Sequence, residues 1–442
     1  MKIINSFFKN FSKKELNRII KNFISQISFN SSLILIQFFF PPLMIFLYGL
    51  NNFGIWIFLT SVPSALSILD FNINSAAKTE MSILFNQNKE KKVNEIFHNF
   101  LILTIFLIII LLFSSILFLF FYNLNIEILK NFRLSELRII LGCIFFSFFL
   151  KIFNSIFVTG IIYKGKLYIE TNLDIFFNIL SKILILVFGV FEPNLLFAAY
   201  ALTITSIIKF ISYFYVFLKY NNKMLSFSFS LVSTDKIKSL FKLSMPYYFE
   251  SLSSLLKHSI QILLIGLFFN APVVGMVSTA KTLFYFMPLR IWGIFNKVVF
   301  YEFTKLYSKK NYILLKNFYK KFIKLALLFI IIFLILSLSI GQIIYDYWLR
   351  DAYELNYVLL SLICLSISFD ILSRSINIVN KSINNFLSFT IYDMIINLTI
   401  IVLTFIIFNF TTNLHILFTF NLIGSIIITC LSTFIYNRLK MK

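Results

Sequence analysis

Six ionisable side chains lie within two neighbouring apolar stretches just past the midpoint of the 442-residue chain. The stretches run from Leu243 to Phe300 and meet at a short turn, Asn270 to Pro272. An ionisable group at bilayer depth costs between about 2.5 and more than 10 kcal/mol, so such groups are expected to face protein or water. The six are Glu250, Lys257, His258, Lys281, Arg290 and Lys297. Their net positive charge predicts a site for an anionic group.

Three of these cations are candidate residues for binding an anionic headgroup. Lys257, Lys281 and Arg290 come from one hairpin and are too deep in their segments to reach the membrane surface easily. Arginine also presents a planar fork that suits bidentate contact with phosphate. In the alternative interpretation, the three cations neutralise Asp70, Glu250 or helix ends and never meet a substrate.

Helical spacing leaves two arrangements open in this hairpin. Glu250 and Lys257 are seven residues apart and share a helix face, so they either pair or serve a cavity separately. Lys281 projects roughly opposite to Arg290 unless Pro288 bends the helix between them.

A second polar stripe lies in the amino-terminal part of the chain. Asp70, Asn74 and Lys78 are spaced by four and are predicted to share one helix face. We count Asn74 among the candidate substrate-binding residues and assign Lys78 to the membrane surface. Asp70 and Glu250 are the candidates for coupling to an ion gradient, because a carboxylate inside a membrane can carry a proton or help to hold a cation.

Other charges within apolar segments favour structural roles. Asp370 and Arg374 are four residues apart, which is the spacing of a neutralised pair on one helix. Lys209 and Asp393 have no charged neighbour at helical spacing and are expected to stand alone.

The elements that position these residues are predicted from composition. The chain is 59% hydrophobic with a mean hydropathy of +0.88, whereas soluble domains are about 45–50% apolar. A helix crosses the hydrocarbon core with about 20 mostly apolar residues. We therefore predict twelve membrane segments in an all-α integral membrane protein. They are roughly 22–48, 53–77, 97–122, 138–162, 169–191, 194–218, 243–270, 273–300, 322–345, 355–380, 385–410 and 412–436.

The positive-inside rule supports this division, because Lys and Arg accumulate on cytoplasmic connections. One alternating set of connections and ends holds 28 Lys and Arg residues, and the other set holds 4. Both termini are therefore predicted to be cytoplasmic. The excess also accounts for much of the formal net charge of +22 in a chain with only 13% charged residues.

A basic loop over 219–242 divides the twelve segments into six and six. We predict a basic arm over 1–21, an amino-terminal lobe over 22–218, a carboxy-terminal lobe over 243–437 and a tail over 438–442. Since six is even, both halves enter the membrane from the same side, and any repeat is of the parallel kind.

Several function classes are not supported by the sequence. Eleven glycines form no nucleotide-binding motif, and three histidines and three cysteines show no metal-ligand spacing, so we expect no catalytic residue, metal or cofactor. The sequence contains no basic soluble segment of the kind that binds nucleic acid, so we expect no nucleic-acid partner. These observations favour a transporter over an enzyme.

Two stretches resemble the flippases of polysaccharide biosynthesis, of the O-antigen translocase type. They are YGLNNFGIWIFLTSVPSALSILDFNINSAAKTEMS, from Tyr48 to Ser82, and KLSMPYYFESLSSLLKHSIQILLIGLFFNAPVVGMVSTA, from Lys242 to Ala280. Asn72 replaces a usual Gly, and Gln261 stands where an acidic residue is often found. The pattern of the resemblance covers most of the chain, although its motifs are loose.

The resemblance implies the fold of the multidrug/oligosaccharidyl-lipid/polysaccharide (MOP) exporter superfamily, with twelve helices in two lobes around a central cavity. It implies an undecaprenyl-pyrophosphate-linked oligosaccharide as substrate, turned from the cytoplasmic to the outer leaflet of a bacterial inner membrane. A polysaccharide polymerase and a chain-length regulator are the expected partners of a monomeric protein.

Two alternatives stay open. A drug or cation exporter of the same superfamily would be expected to carry acidic residues in its cavity, whereas the deep charges here are predominantly basic. A membrane-embedded polysaccharide polymerase would be expected to carry a sizeable outer loop with carboxylates or arginines, and the predicted outer loops are short.

Overall fold

The computed structural model describes residues 13–69, 71–121, 127–130, 132–221, 232–308, 311–383 and 385–438. The described residues form helices and contain no strand, because an apolar segment in a bilayer must satisfy its backbone hydrogen bonds internally. The α-helices are α1 Lys13–Tyr48, α2 Leu50–Leu66, α3 Ile73–Asn86, α4 Glu90–Phe121, α5 Leu134–Ile162, α6 Leu167–Phe191, α7 Leu195–Asn221, α8 Thr234–Leu255, α9 Gln261–Phe268, α10 Ala271–Lys281, α11 Met287–Ser308, α12 Tyr312–Leu349, α13 Tyr357–Ser382, α14 Leu387–Phe408 and α15 Leu414–Arg438.

Eleven helical stretches among the described residues are long and apolar enough to cross a membrane. In two of these stretches, α8 continues into α9 and α10 continues into α11 through a short turn of π-helix. The all-α membrane fold predicted from composition is confirmed. Of the twelve predicted segments, the second, 53–77, has no continuous helix of spanning length.

That second segment is divided, so the prediction of one helix over 53–77 is wrong. After α2, a 3₁₀ turn spans Ser67–Leu69, and α3 begins at Ile73. Asn72 precedes α3 in the left-handed conformation with φ of 51°, which asparagine tolerates better than most residues. Asn74 and Lys78 lie four residues apart on α3, so these two members of the predicted stripe share one helix. Asp70 itself lies outside the described residues.

Two compact units account for the described chain. The first contains the described parts of Met1–Ile36, Leu69–Tyr122 and Ser135–Ser244, and the second contains those of Gln37–Ile68, Asn123–Leu134 and Met245–Lys442. The bounds of these compact units differ from those of the two predicted lobes, 22–218 and 243–437. The division of the transporter into those two lobes stays a prediction.

The core of the first unit is aromatic and aliphatic. Phe97 and Phe217 stack with ring centroids 5.7 Å apart, and Phe157 packs against Phe217 at 5.5 Å. Gly160 lies so close to Phe217 that a Cβ there would overlap the ring. Burying one large apolar side chain contributes about 1.5–3 kcal/mol in water, and within a bilayer close packing takes over part of that role.

The second unit brings α2 against the hairpin formed by α8 to α11. Gly54 on α2 faces the backbone of Ala271 at the start of α10, and an added Cβ would collide with that carbonyl group. Trp292 on α11 is fully buried, stacks on Phe322 and donates from its indole nitrogen to Ser375 on α13 at 2.8 Å. Close backbone approach and aromatic packing thus hold the hairpin in place.

Candidate functional site

Two π-helical turns shape the hairpin that carries the sequence-predicted cations. They cover Leu256–Ile260 and Thr282–Phe286. Between them, Asn270 caps α10 by accepting a hydrogen bond from the Val273 amide at 3.2 Å. The second π-helical turn ends two residues before Pro288, whose ring and missing N–H disturb the backbone one turn earlier. Single π-helical turns occur frequently at functional sites.

Lys257 lies in the first π-helical turn and pairs with a carboxylate from another helix. Its Nζ is 2.6 Å from both carboxylate oxygens of Asp370 on α13, and both side chains are almost fully buried. The hydroxyl group of Tyr285, from the second π-helical turn, donates to the same carboxylate. This buried triad joins three helices and is electrically neutral when Lys257 and Asp370 are both charged.

Lys281 is buried beside the triad but has neutral partners. Its Nζ donates to the backbone carbonyl oxygen of Lys257 at 3.0 Å and to the side-chain oxygen of Gln261 at 2.6 Å. Gln261 in turn donates to Asn421 on α15 at 2.6 Å. Within the described part of the chain, no carboxylate lies within ion-pair distance of Lys281. A charged Lys281 therefore gives the cluster a net positive charge.

A second carboxylate, Asp393, lies on α14 and is held by uncharged groups. Ser253 donates to Asp393 at 2.6 Å, and the amide of Asn397 donates to Asp393 at 3.1 Å and to Ser253 at 3.0 Å. The expectation that Asp393 stands alone is therefore wrong. It is hydrogen-bonded rather than ion-paired, and helical spacing along α14 gave no sign of the partner on α8.

The structure separates the remaining predicted site residues. Glu250 does not pair with Lys257: its carboxylate accepts from Lys381 at 2.6 and 2.8 Å, and both side chains are exposed. Arg290 is half-buried on α11, and its Nη1 has no hydrogen-bond partner. Asn74 lies on α3 in the first unit, where it lines a small cavity with Phe100, among others.

The three predicted substrate-binding cations are thus only partly brought together. Lys257 and Lys281 share one network, in which Lys281 is anchored on the backbone of Lys257. No hydrogen bond or ion pair joins Arg290 to that network among the described residues. The π-helical turn Thr282–Phe286 lies between Lys281 and Arg290, where a bend was the condition for the two cations to face the same side.

Sequence reasoning missed the partners of the buried carboxylate in the network. The expected Asp370–Arg374 pair is wrong, because Asp370 takes Lys257 and Tyr285 instead. Those partners lie 113 and 85 residues away in sequence, beyond any helical spacing. The signal that was available is the polar composition of α13, which includes Ser366, Ser368 and Asn377 within an apolar span.

A family model described as polysaccharide biosynthesis protein matches residues 19–307 of the chain. No curated protein matches it. Similar solved structures include a lipid II flippase, MurJ, in an inward closed conformation, with 16% identity, a TM-score of 0.68 and coverage of 95% of this chain and 87% of that one.

Two further structures extend the comparison. A multidrug resistance MATE family transporter of the MOP superfamily, in an inward-facing conformation, shows 14% identity and a TM-score of 0.63 over 92% of this chain and 99% of that one. A MOP superfamily transporter from Pyrococcus furiosus, whose reversed pocket polarity suggests a different function, shows 14% identity and a TM-score of 0.53, covering 93% and 95%. At such identities the similarity shows the fold, so the predicted MOP-type fold is confirmed.

Proposed function

Because the chain belongs to the polysaccharide biosynthesis protein family, we propose that it is a flippase for an undecaprenyl-pyrophosphate-linked oligosaccharide. The substrate would be the repeat unit of an O-antigen, capsule or similar polymer. The observation that carries the proposal is the excess of positive charge within the membrane-length helices of the second unit. Lys281 and Arg290 have no carboxylate partner among the described residues.

This charge balance favours an anionic substrate over a cationic drug. Among the described residues of the second unit, three carboxylates within the apolar helices are already engaged: Asp370 by Lys257, Glu250 by Lys381, and Asp393 by hydroxyl and amide donors. A drug exporter would need at least one of them free. A pyrophosphate headgroup carries negative charge that uncompensated lysine and arginine side chains can bind.

We place transport in an alternating-access cycle driven by an ion gradient. Asp70 and Glu250 are the proposed coupling residues. Glu250 is accessible and paired with Lys381, so a proton that binds Glu250 would release that lysine. Loss of gradient dependence in Asp70→Asn or Glu250→Gln, with protein still in the membrane, is the expected result. Unchanged dependence in both variants would remove these residues from the mechanism.

We propose the cytoplasmic membrane of a bacterium as the location, with both termini on the cytoplasmic side. The asymmetry of 28 Lys and Arg residues against 4 supports this orientation. A reporter fusion within 305–310 should be cytoplasmic, and a fusion within 346–353 should be external. An external reporter at 305–310 would contradict the orientation. We propose a monomer that works beside a polysaccharide polymerase and a chain-length regulator.

Deletion of the gene in the source organism tests the function without knowledge of the sugar. Cells without the protein should accumulate the undecaprenyl-pyrophosphate-linked oligosaccharide, measured by mass spectrometry of lipid extracts. The wild-type gene should restore the normal level, and so should a variant with Lys320→Gln, an exposed lysine on α12. Arg290→Gln should restore less. Sensitivity to cationic drugs without lipid accumulation would instead identify an exporter.

A further inference from the structure

One arginine on the most enclosed helix of the second unit is exposed. Helix α13 is buried or half-buried at every position from Leu359 to Asn380 except Arg374. The residues around it on the same helix include Asp370, Ser373 and Ser375, all buried. Arg374 is therefore the exposed position of this stretch, although protein atoms surround its guanidinium group densely.

Arg374 has no fixed partner. Within the described residues its side chain makes no hydrogen bond and no ion pair, although Asp370, Asp393 and Glu250 are the nearby carboxylates whose charges act on it. Each of those carboxylates is held by other donors, as described above. The arginine thus keeps its full set of five N–H donors available.

The position of Arg374 along the helix excludes simple contact with lipid. It lies eight residues before the end of α13 at Ser382, about 12 Å along the axis, within a hydrocarbon core about 30 Å thick. A lipid-facing arginine at that depth is energetically unfavourable. A charged, unpaired arginine there fits a space that holds water or an anionic ligand.

We propose that Arg374 is a binding residue for a pyrophosphate group, through bidentate contact of its guanidinium with the phosphate oxygens. This inference rests on the proposed function and adds a residue to it. Arginine suits the role better than Lys257 or Lys281, since Lys257 is paired and Lys281 is held by neutral oxygens. Arg374 is also one helical turn from Asp370, so the ligand would sit beside the buried triad.

The test is binding of farnesyl pyrophosphate to the purified full-length protein in detergent, measured by isothermal titration calorimetry. Arg374→Gln is expected to weaken binding about tenfold or more, because loss of about 1.4 kcal/mol corresponds to a factor of ten. Arg374→Lys keeps the charge but not the fork, and should be intermediate. Lys320→Gln is the matched control and should bind like the wild type.

Further ligands identify the source of the pyrophosphate. Inorganic pyrophosphate that binds equally well, with the same dependence on Arg374, would indicate a free anion, whereas preference for the prenylated form indicates a lipid headgroup. Farnesol should be insensitive to all three substitutions. Equal binding of farnesyl pyrophosphate to wild type, Arg374→Gln and Arg374→Lys would overturn the inference.

The outcome is separable from that of the proposed function. Precursor accumulation in the deletion strain tests transport, and the binding series tests Arg374. Transport that is restored fully by Arg374→Gln would leave the flippase standing and remove this residue from its binding site.

Discussion

Each unit contains a Lys–Asp–Tyr cluster, and the two clusters are built differently. In the first unit, Lys209 and Tyr213 are one turn apart on α7 and both contact Asp174 on α6, at 2.7 and 2.9 Å. In the second unit, Lys257, Asp370 and Tyr285 come from three separate helical segments.

Burial separates the two clusters further. The side chains of Lys209 and Asp174 are 23% and 27% exposed, whereas those of Lys257 and Asp370 are 9% and 5% exposed. A part-exposed pair contributes little to stability, but removing one partner of a buried pair leaves an uncompensated charge. In the first unit, these three residue types therefore join two neighbouring helices with a small contribution to stability. In the second unit, stability depends strongly on keeping both charges of the pair.

The largest expected effect comes from breaking the buried triad. Asp370→Leu leaves Lys257 as an unpaired buried charge and Tyr285 without its acceptor, at a cost of about 3–5 kcal/mol in the free energy of unfolding. Thermal unfolding in detergent, followed by intrinsic fluorescence, measures the change. The double variant Lys257→Met with Asp370→Leu should recover most of the loss. A double variant as unstable as the single one would show that lost packing, and not charge, is responsible.

A smaller loss in the free energy of unfolding is expected from a change at Gln261, which is hydrogen-bonded to Lys281 rather than to the triad side chains. Gln261→Leu removes one of the two acceptors of Lys281 and the partner of Asn421, at a cost of about 1–3 kcal/mol. Gln261→Glu places a carboxylate beside Lys281 and should keep or raise the unfolding temperature. A drop with Gln261→Glu as large as that with Gln261→Leu would argue against a charged Lys281.

The smallest effect is expected in the first unit. Asp174→Leu removes an acceptor of Lys209 and Tyr213, but the ion pair is part-exposed rather than buried, so the expected change is about 1 kcal/mol or less. The same thermal measurement applies. A loss in the free energy of unfolding as large as that of Asp370→Leu would contradict the proposed difference between the two clusters.

Composition and apolar length were sufficient to predict the helical membrane fold. The division of the second segment was not predicted, because length and hydropathy do not register a turn at Ser67–Leu69 or a left-handed Asn72. Backbone breaks of this kind depend on local geometry and neighbours. The π-helical turn ahead of Pro288 belongs to the same class of feature.

The sequence predicted several residues of the candidate site, but it did not predict which side chains they contact. Burial of Lys257 and Lys281 in a common network agrees with their depth in the sequence. Their partners were not predicted, because spacing along one helix offered Glu250 as one option for Lys257 and favoured Arg374 for Asp370. The actual partners lie on other helices, where only tertiary packing brings side chains together.

The central claim is that this protein moves a pyrophosphate-linked lipid oligosaccharide between leaflets. The direct measurement uses purified protein in liposomes that contain the lipid-linked oligosaccharide extracted from the deletion strain. A membrane-impermeant reagent that attacks the sugar reports which leaflet holds it. The account predicts that protein-containing liposomes expose inner-leaflet substrate to the reagent much faster than empty liposomes do, and that Arg290→Gln slows this exposure. Equal protection of the substrate with and without the wild-type protein would contradict the account.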